Sequence, residues 1–218
     1  MKRYNTYIFD LDGTLTDTLT TWLGIFRDCL EECGITAPDD VTLSKHTHDW
    51  KEMLKLGLPE TKLHDFITLA HRYAKNRLPK APLHAGALDA LQALKDADRQ
   101  VGIFSTMDRP IVEVAMKVHG FSNYAQAEVA GTDVPRRKPD PDGILKAMKD
   151  LGVAEEHVGT IAYIGDKSTD IQAANAAGID GILYYPASHQ LFYDEAELKA
   201  HQPKSVIINW QELIDSLA

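Results

Sequence analysis

Cysteine is nearly missing from this chain: only Cys29 and Cys33 occur among 218 residues. Two thiols four residues apart build no disulfide framework and suit a reducing compartment. They share a helix face, but no third or fourth ligand follows at zinc-binding spacing, so core or surface thiols are the expectation. Long apolar runs are missing too, since none approaches the ~20 residues that cross a bilayer. Basic residues are outnumbered, with 23 Lys and Arg against 32 Asp and Glu and a formal net charge of −9. That balance argues against nucleic acid or an anionic membrane as partner, because both require extended basic surface. An anionic substrate would have to be met by a local cation. The opening "MKRYNTYIFD" starts basic but reaches Asp10 before a signal-peptide core can form, so a cytoplasmic location is expected. Internal repeats and low-complexity segments are also lacking.

What is present is the composition of a soluble globular protein, 44% hydrophobic and 25% charged, with enough chain for a real core. Short apolar runs read as strands buried on both faces: 6–10, 100–105, 160–166, 181–185 and 205–209, with a weaker sixth at 125–130. Helical periodicity fills 83–97, 109–120, 140–152 and 168–178, and Gly120, Gly152 and Gly178 stand at helix-stop positions. Strand–helix alternation of this kind predicts an α/β fold, a doubly wound parallel sheet with helices on both faces. The interval from Asp17 to Pro82 breaks the rhythm. It holds no convincing strand, and helical patterns cover 20–34, 43–57 and 60–78. The expected organisation is therefore a core of residues 1–16 and 83–218, with a small all-helical cap, 17–82, inserted after the first strand.

The polar residues cluster where the strands end. "YIFDLDGTLTDT" places Asp10 and Asp12 at the end of the first run, and "GIFST" places Ser105 and Thr106 at the end of the second. Lys138 sits in the loop "PRRKPDPDG", while "IGDKSTD" carries Asp166 and Asp170. Taken singly, each has a structural reading: an aspartate or serine as a helix cap, Lys138 as a solvated cation, Asp166 and Asp170 as acids at a helix N-terminus. Taken together, in this order and at these positions, they outweigh those readings.

The four motifs resemble those of the haloacid dehalogenase superfamily over nearly the whole chain, specifically its helical-cap phosphatases. The insertion point of the cap is similar to that of the phosphoglycolate phosphatase and β-phosphoglucomutase branch. The resemblance implies a Rossmann-like core and a Mg²⁺ ion held by Asp10, Asp166 and the backbone carbonyl of Asp12, with Asp170 supporting the site. It implies Asp10 as nucleophile, Asp12 as general acid and base, Ser105 as a phosphoryl hydrogen-bond donor and Lys138 as the balancing charge. The chemistry agrees. A dianionic phosphomonoester admits a carboxylate nucleophile only when charge is neutralised, and Mg²⁺ prefers oxygen ligands. Two positions depart from the pattern: Thr106 stands where Asn is frequent, and Lys167 where a small hydroxyl residue is frequent.

The expected function is hydrolysis of a small phosphorylated metabolite, similar to phosphoglycolate, through an aspartyl phosphate, by a monomer or homodimer. The alternatives are a sugar phosphomutase on the same scaffold and a non-enzymatic phosphoacceptor or scaffold protein. Because core motifs read only the phosphoryl group, specificity is expected in the cap. Lys45, His46 and His48 of "SKHTHDW" are the candidates there.

Overall fold

Six runs of apolar and β-branched residues form a single parallel sheet: β1 (Thr6–Phe9), β2 (Gln100–Phe104), β3 (Ala127–Val129), β4 (Ile161–Gly165), β5 (Asp180–Tyr184) and β6 (Ser205–Ile207). The computed structural model describes residues 2–47, 49–154 and 159–217. The spatial order is β3-β2-β1-β4-β5-β6. This is the doubly wound arrangement in which the chain reverses direction across the sheet beside β1. The order also differs from the 2-1-3-4-5 order of phosphoacceptor receiver domains, which removes that alternative on topology. All six strands fall within the runs predicted from sequence, apart from Asp180, which extends β5 by one residue.

Alternation along each strand sends side chains to two separate cores. Tyr7 and Phe9 of β1 join Ile103 and Ile164 under α4 (Ala87–Asp96), α5 (Arg109–His119) and α9 (Gln211–Asp215). Ile8 joins Phe104 and Tyr163 on the other face, under α6 (Asp142–Asp150) and α7 (Ser168–Ala176). Residues buried on both faces of a strand explain why these runs show no polar alternation. Gly120, Gly152 and Gly178 follow the ends of α5, α6 and α7 at positive φ, the left-handed position that closes a helix.

Between β1 and α4 the chain is helical: α1 (Thr18–Glu32), α2 (Asp40–Ser44), a 3₁₀ segment over Trp50–Leu56, another over Glu60–Lys62, and α3 (Leu63–Arg77). These pack on a third apolar cluster built around Leu23, Phe26, Met53 and Phe66. The stretch 43–57 is broken rather than continuous, because Asp39 and Asp49 each cap a new start by accepting a backbone N–H, from Thr42 and Lys51 respectively. The chain leaves and re-enters the sheet region side by side. The Asp17 N–H donates to the Pro82 carbonyl at 2.7 Å, and the His84 N–H donates to the Leu15 carbonyl at 3.0 Å. A short helix the sequence pattern had not marked, α8 (Glu195–Lys199), precedes β6.

Candidate functional site

In an open doubly wound sheet, the crevice lies at the carboxyl ends of the strands where the winding reverses. Here that point is the β1–β4 junction, and β1 and β4 are hydrogen-bonded neighbours from Thr6 to Phe9. Asp10 follows β1 directly, its N–H held by the Ile164 carbonyl at 2.8 Å. Asp166 follows β4. The fold therefore presses two carboxylates together at the one place where side chains from both windings meet.

Lys138 enters from the loop before α6 and sits between Asp10 and Asp170. Its side chain is only 4% exposed. An ammonium has three protons to donate, and all three find acceptors. The Nζ lies 2.7 Å from Asp10 Oδ1, 2.6 Å from Asp170 Oδ1 and 3.0 Å from the Tyr163 hydroxyl, which in turn donates to the Phe104 carbonyl. Asp170 is committed on both sides, since its Oδ2 accepts the Lys167 N–H at 2.8 Å. Asp10 keeps Oδ2 outside the described hydrogen bonds. On the other flank, Ser105 Oγ donates to Asp12 Oδ2 at 2.7 Å and accepts the Met107 N–H at 3.0 Å. Asp12 and Asp10 thus face different partners, because the chain turns after Asp10 and leaves the period-two alternation of the strand.

Burial governs the protonation of the cluster. It raises Asp10 well above the carboxylate range, against the pull of Lys138. It raises Asp12 as well, opposed by the Ser105 hydrogen bond, and lifts Asp166 to about 6, opposed by Lys167. Burial alone would lower Lys138, but Asp10 and Asp170 hold it well above the lysine range. Burial of Lys167 is likewise outweighed by Asp166 and Asp10, which raise it. Tyr163 stays protonated through burial.

The donor set suits a hard divalent cation. Asp10, Asp166 and Asp170 each bring a carboxylate oxygen within 4.8 Å of the others. Asp166 Oδ2 is buried and lacks a hydrogen-bond partner among the described residues, while Oδ1 accepts from Thr14 Oγ1 at 3.1 Å. Four carboxylates, Asp10, Asp12, Asp166 and Asp170, face two ammonium groups, Lys138 and Lys167, so the ionised cluster is short of positive charge by two. Oxygen-only ligands and that deficit match a hard divalent cation rather than a thiophilic metal. Gly13 keeps the place open. Its φ is +88°, and a Cβ there would lie 2.5 Å from Asp166 Oδ2.

The core residues singled out from sequence, Asp10, Asp12, Ser105, Lys138, Asp166 and Asp170, therefore meet in one place. The helical-segment candidates divide. Lys45 lines the neighbouring cavity, His46 is turned onto Glu52 with Nδ1 at 3.0 Å from Oε2, and His48 lies outside the described residues. Sequence reasoning missed Tyr163, concealed within an apolar strand, and Thr14 as the partner of Asp166. It also missed Phe192 and Tyr193, which come from the stretch after β5 and line the same cavity as Lys45 and Lys167.

Residues 7–184 match the family model of haloacid dehalogenase-like hydrolases. The phosphoglycolate phosphatase of Nitrosococcus oceani is 25% identical over 232 residues, covering 100% of this chain and 98% of that protein. The pyrophosphatase PpaX of Oceanobacillus iheyensis is 26% identical over 212 residues, covering 96% and 94%. Among solved structures, a HAD family hydrolase from Deinococcus radiodurans, with bound phosphate and sodium, matches with a TM-score of 0.80 at 22% identity, covering 96% of this chain and 93% of that one. With the family model running from β1 through β5, and the strand-end carboxylates gathered where the sheet reverses, the chain belongs to the haloacid dehalogenase-like hydrolase family.

Proposed function

We propose that this hydrolase is a Mg²⁺-dependent phosphatase that cleaves a small phosphorylated metabolite through an aspartyl phosphate on Asp10. The observation that carries the reading is the asymmetry of the two strand-end acids: Asp10 is paired with a buried ammonium, whereas Asp12 is held by a neutral hydroxyl. Lys138 pulls Asp10 toward the ionised form against burial, and a bound cation would add to that pull. Asp12, raised by burial against the weaker pull of a neutral hydroxyl, is the acid of the two suited to carry a proton. Relatives named as phosphatases and as a pyrophosphatase support the phosphoryl class.

In the first step an Asp10 oxygen bonds to phosphorus in line with the departing alkoxide, which takes its proton from Asp12 as the P–O bond breaks. In the second, water gives its proton to Asp12 and attacks phosphorus, releasing phosphate and restoring the Asp10 carboxylate. Lys138 screens Asp10 throughout. Ser105 holds Asp12 in place and is near enough to the same pocket to donate to a phosphoryl oxygen. Asp10, Asp166 and the Asp12 carbonyl would hold Mg²⁺, with Asp170 anchoring Lys138 beside them. When bound, the ion supplies the charge neutralisation that lets a carboxylate approach a dianion.

Residues 17–82 act as the cap and residues 1–16 with 83–218 as the core. The paired crossings at Asp17–Pro82 and Leu15–His84 make a natural hinge for such a division. Phosphate release from a metabolite panel, measured with Mg²⁺ and after exhaustive chelation, tests the reading. Multiple turnovers that vanish on chelation and return with Mg²⁺ are expected. Full activity in the chelated protein would overturn the metal assignment, and silence across the panel would overturn the phosphatase.

A further inference from the structure

Beside the carboxylate cluster lies a cavity of about 460 Å³. Its walls come from two parts of the chain. Trp22 and Phe26 of α1 and Trp50 of the first 3₁₀ segment line it, and so do Phe192 and Tyr193 from the stretch after β5. The helical-segment rings form one continuous aromatic wall. Phe26 and Trp50 have centroids 5.4 Å apart, Trp22 and Phe26 5.7 Å, and Trp22 and Trp50 6.2 Å at an angle of 66°. Lys167, next in sequence to Asp166, borders this cavity and feels the charges of the acidic cluster, which places the two side by side.

Core packing uses part of this wall, since Phe26 belongs to the apolar cluster of the helical segment and Trp22, Trp50 and Phe192 pack against it, but it leaves the two tryptophans partly uncovered. The third tryptophan, Trp210, is buried to 1% exposure in the sheet core, as a large apolar ring ordinarily is when it serves stability. Trp22 and Trp50 are left partly uncovered, facing the cavity. Phe192 and Tyr193 belong to neither α1 nor the 3₁₀ segment, yet they add aromatic faces to the same space. A volume of this size accommodates a ligand with a ring system, and a two-carbon acid would leave most of it unfilled. Aromatic faces recognise other flat rings by stacking, largely independent of the ring's hydrogen-bonding edge.

We infer that the leaving group of the substrate carries an aromatic or heteroaromatic ring, held between the aromatic wall of the helical segment and Phe192–Tyr193, with the phosphoryl end directed past Lys167 to Asp10. This rests on the phosphatase reading above and narrows it: the small carboxylate of phosphoglycolate is not the group this cavity is shaped to read. Part of the specificity surface then lies outside the cap, in the stretch after β5.

The test compares naphthyl phosphate and uridine monophosphate with phosphoglycolate on the full chain, scored by kcat/KM with Mg²⁺. Quenching of tryptophan fluorescence by each compound is recorded in parallel. The ring-bearing compounds should be preferred at least tenfold, with saturable quenching. Trp50→Ala and Phe192→Ala should each reduce the ratio of ring-bearing to phosphoglycolate turnover by about tenfold. Phe192→Ala keeps the test decisive if the helical-segment variant fails to fold. A preference for phosphoglycolate with an unchanged ratio in the folded variants would overturn the inference and leave the phosphatase intact. If no compound is hydrolysed, the phosphatase reading fails, and quenching then decides the ring site alone. Saturable quenching weakened by Phe192→Ala sustains the site, and its absence overturns it.

Discussion

Replacing Lys138 by Met removes the ammonium that is bonded to Asp10 while keeping most of the side chain's length and apolar stem. The structure sets the size of the effect. Lys138 is 4% exposed and bonded to two carboxylates that are 4% and 0% exposed. Deleting one partner of a buried ion pair costs about 3–5 kcal/mol, because the stranded charge has no solvent to turn to. The variant can escape by protonating Asp10. Carrying a proton at about pH 7.5 on a carboxyl with an ordinary pKa of ~3.9 costs ~5 kcal/mol, which bounds the loss from above. The sign with pH follows. Without Lys138 the Asp10 carboxyl, already raised by burial, rises further above its unfolded value. The native state then binds more protons than the unfolded state over the interval above ~3.9, so stability falls as pH increases through it. Urea titrations of chelated protein should show a deficit of about 3–5 kcal/mol at neutral pH that shrinks on acidification toward pH ~5. Turnover should be lost at the same time. A deficit below ~1 kcal/mol at neutral pH, or one that grows on acidification, would refute the charge argument.

Three further substitutions probe other parts of the account. Asp12→Asn should slow hydrolysis by about 10²–10⁴-fold with poor leaving groups and less with acidic phenols, and equal losses across a leaving-group series limited by phosphorylation would contradict a general acid. Gly13→Ala places a Cβ 2.5 Å from Asp166 Oδ2 at a φ of +88°, so calorimetric Mg²⁺ affinity should fall at least tenfold and Tm by about 2–8 °C. Unchanged Mg²⁺ binding would show that Gly13 does not guard the site. His189 is fully buried with neither ring nitrogen bonded among the described residues, and burial, then His84, lowers its pKa to about 3. Between an unfolded pKa of ~6.5 and that value the unfolded state binds the extra proton, so stability should decline as pH falls, by ~1.4 kcal/mol per unit well below 6.5. His189→Phe should flatten the slope by that amount, and identical slopes would assign the acid sensitivity elsewhere.

The sheet was legible because its strands are buried on both faces: "YIF", "GIF" and "AYIG" leave no polar alternation to confuse with an amphipathic helix. The carboxylate cluster was legible for the converse reason, since acids placed directly behind such runs have no packing role. Elsewhere the pattern was silent. The break between α2 and the 3₁₀ segment hangs on single capping aspartates inside a stretch that keeps helical periodicity throughout. Tyr163 reads as one more strand apolar residue, and its hydroxyl finds its partners, Lys138 and the Phe104 carbonyl, only in the folded chain. Phe192 and Tyr193 follow a short 3₁₀ turn over Ala187–Leu191 and precede α8, in a stretch too short for a period to say which way a side chain faces. Their position is a product of tertiary packing: the Tyr185 hydroxyl ties down the Tyr193 carbonyl at 2.8 Å. His46, a candidate for substrate contact on composition, is instead the partner of Glu52.

Covalent trapping tests the central claim, that Asp10 takes the phosphoryl group, most directly. Asp12→Asn removes the base that would activate water, so phosphorylated protein should accumulate when the variant meets an aryl phosphate with an acidic phenol and Mg²⁺. Rapid acid quenching, proteolysis and mass spectrometry should place one phosphoryl group on the peptide containing Asp10, labile to hydroxylamine and absent from the Asp10→Asn, Asp12→Asn double variant. A stable phosphoryl group on Ser105 or Thr106, or burst release of the phenol with no labelled protein, would contradict the account.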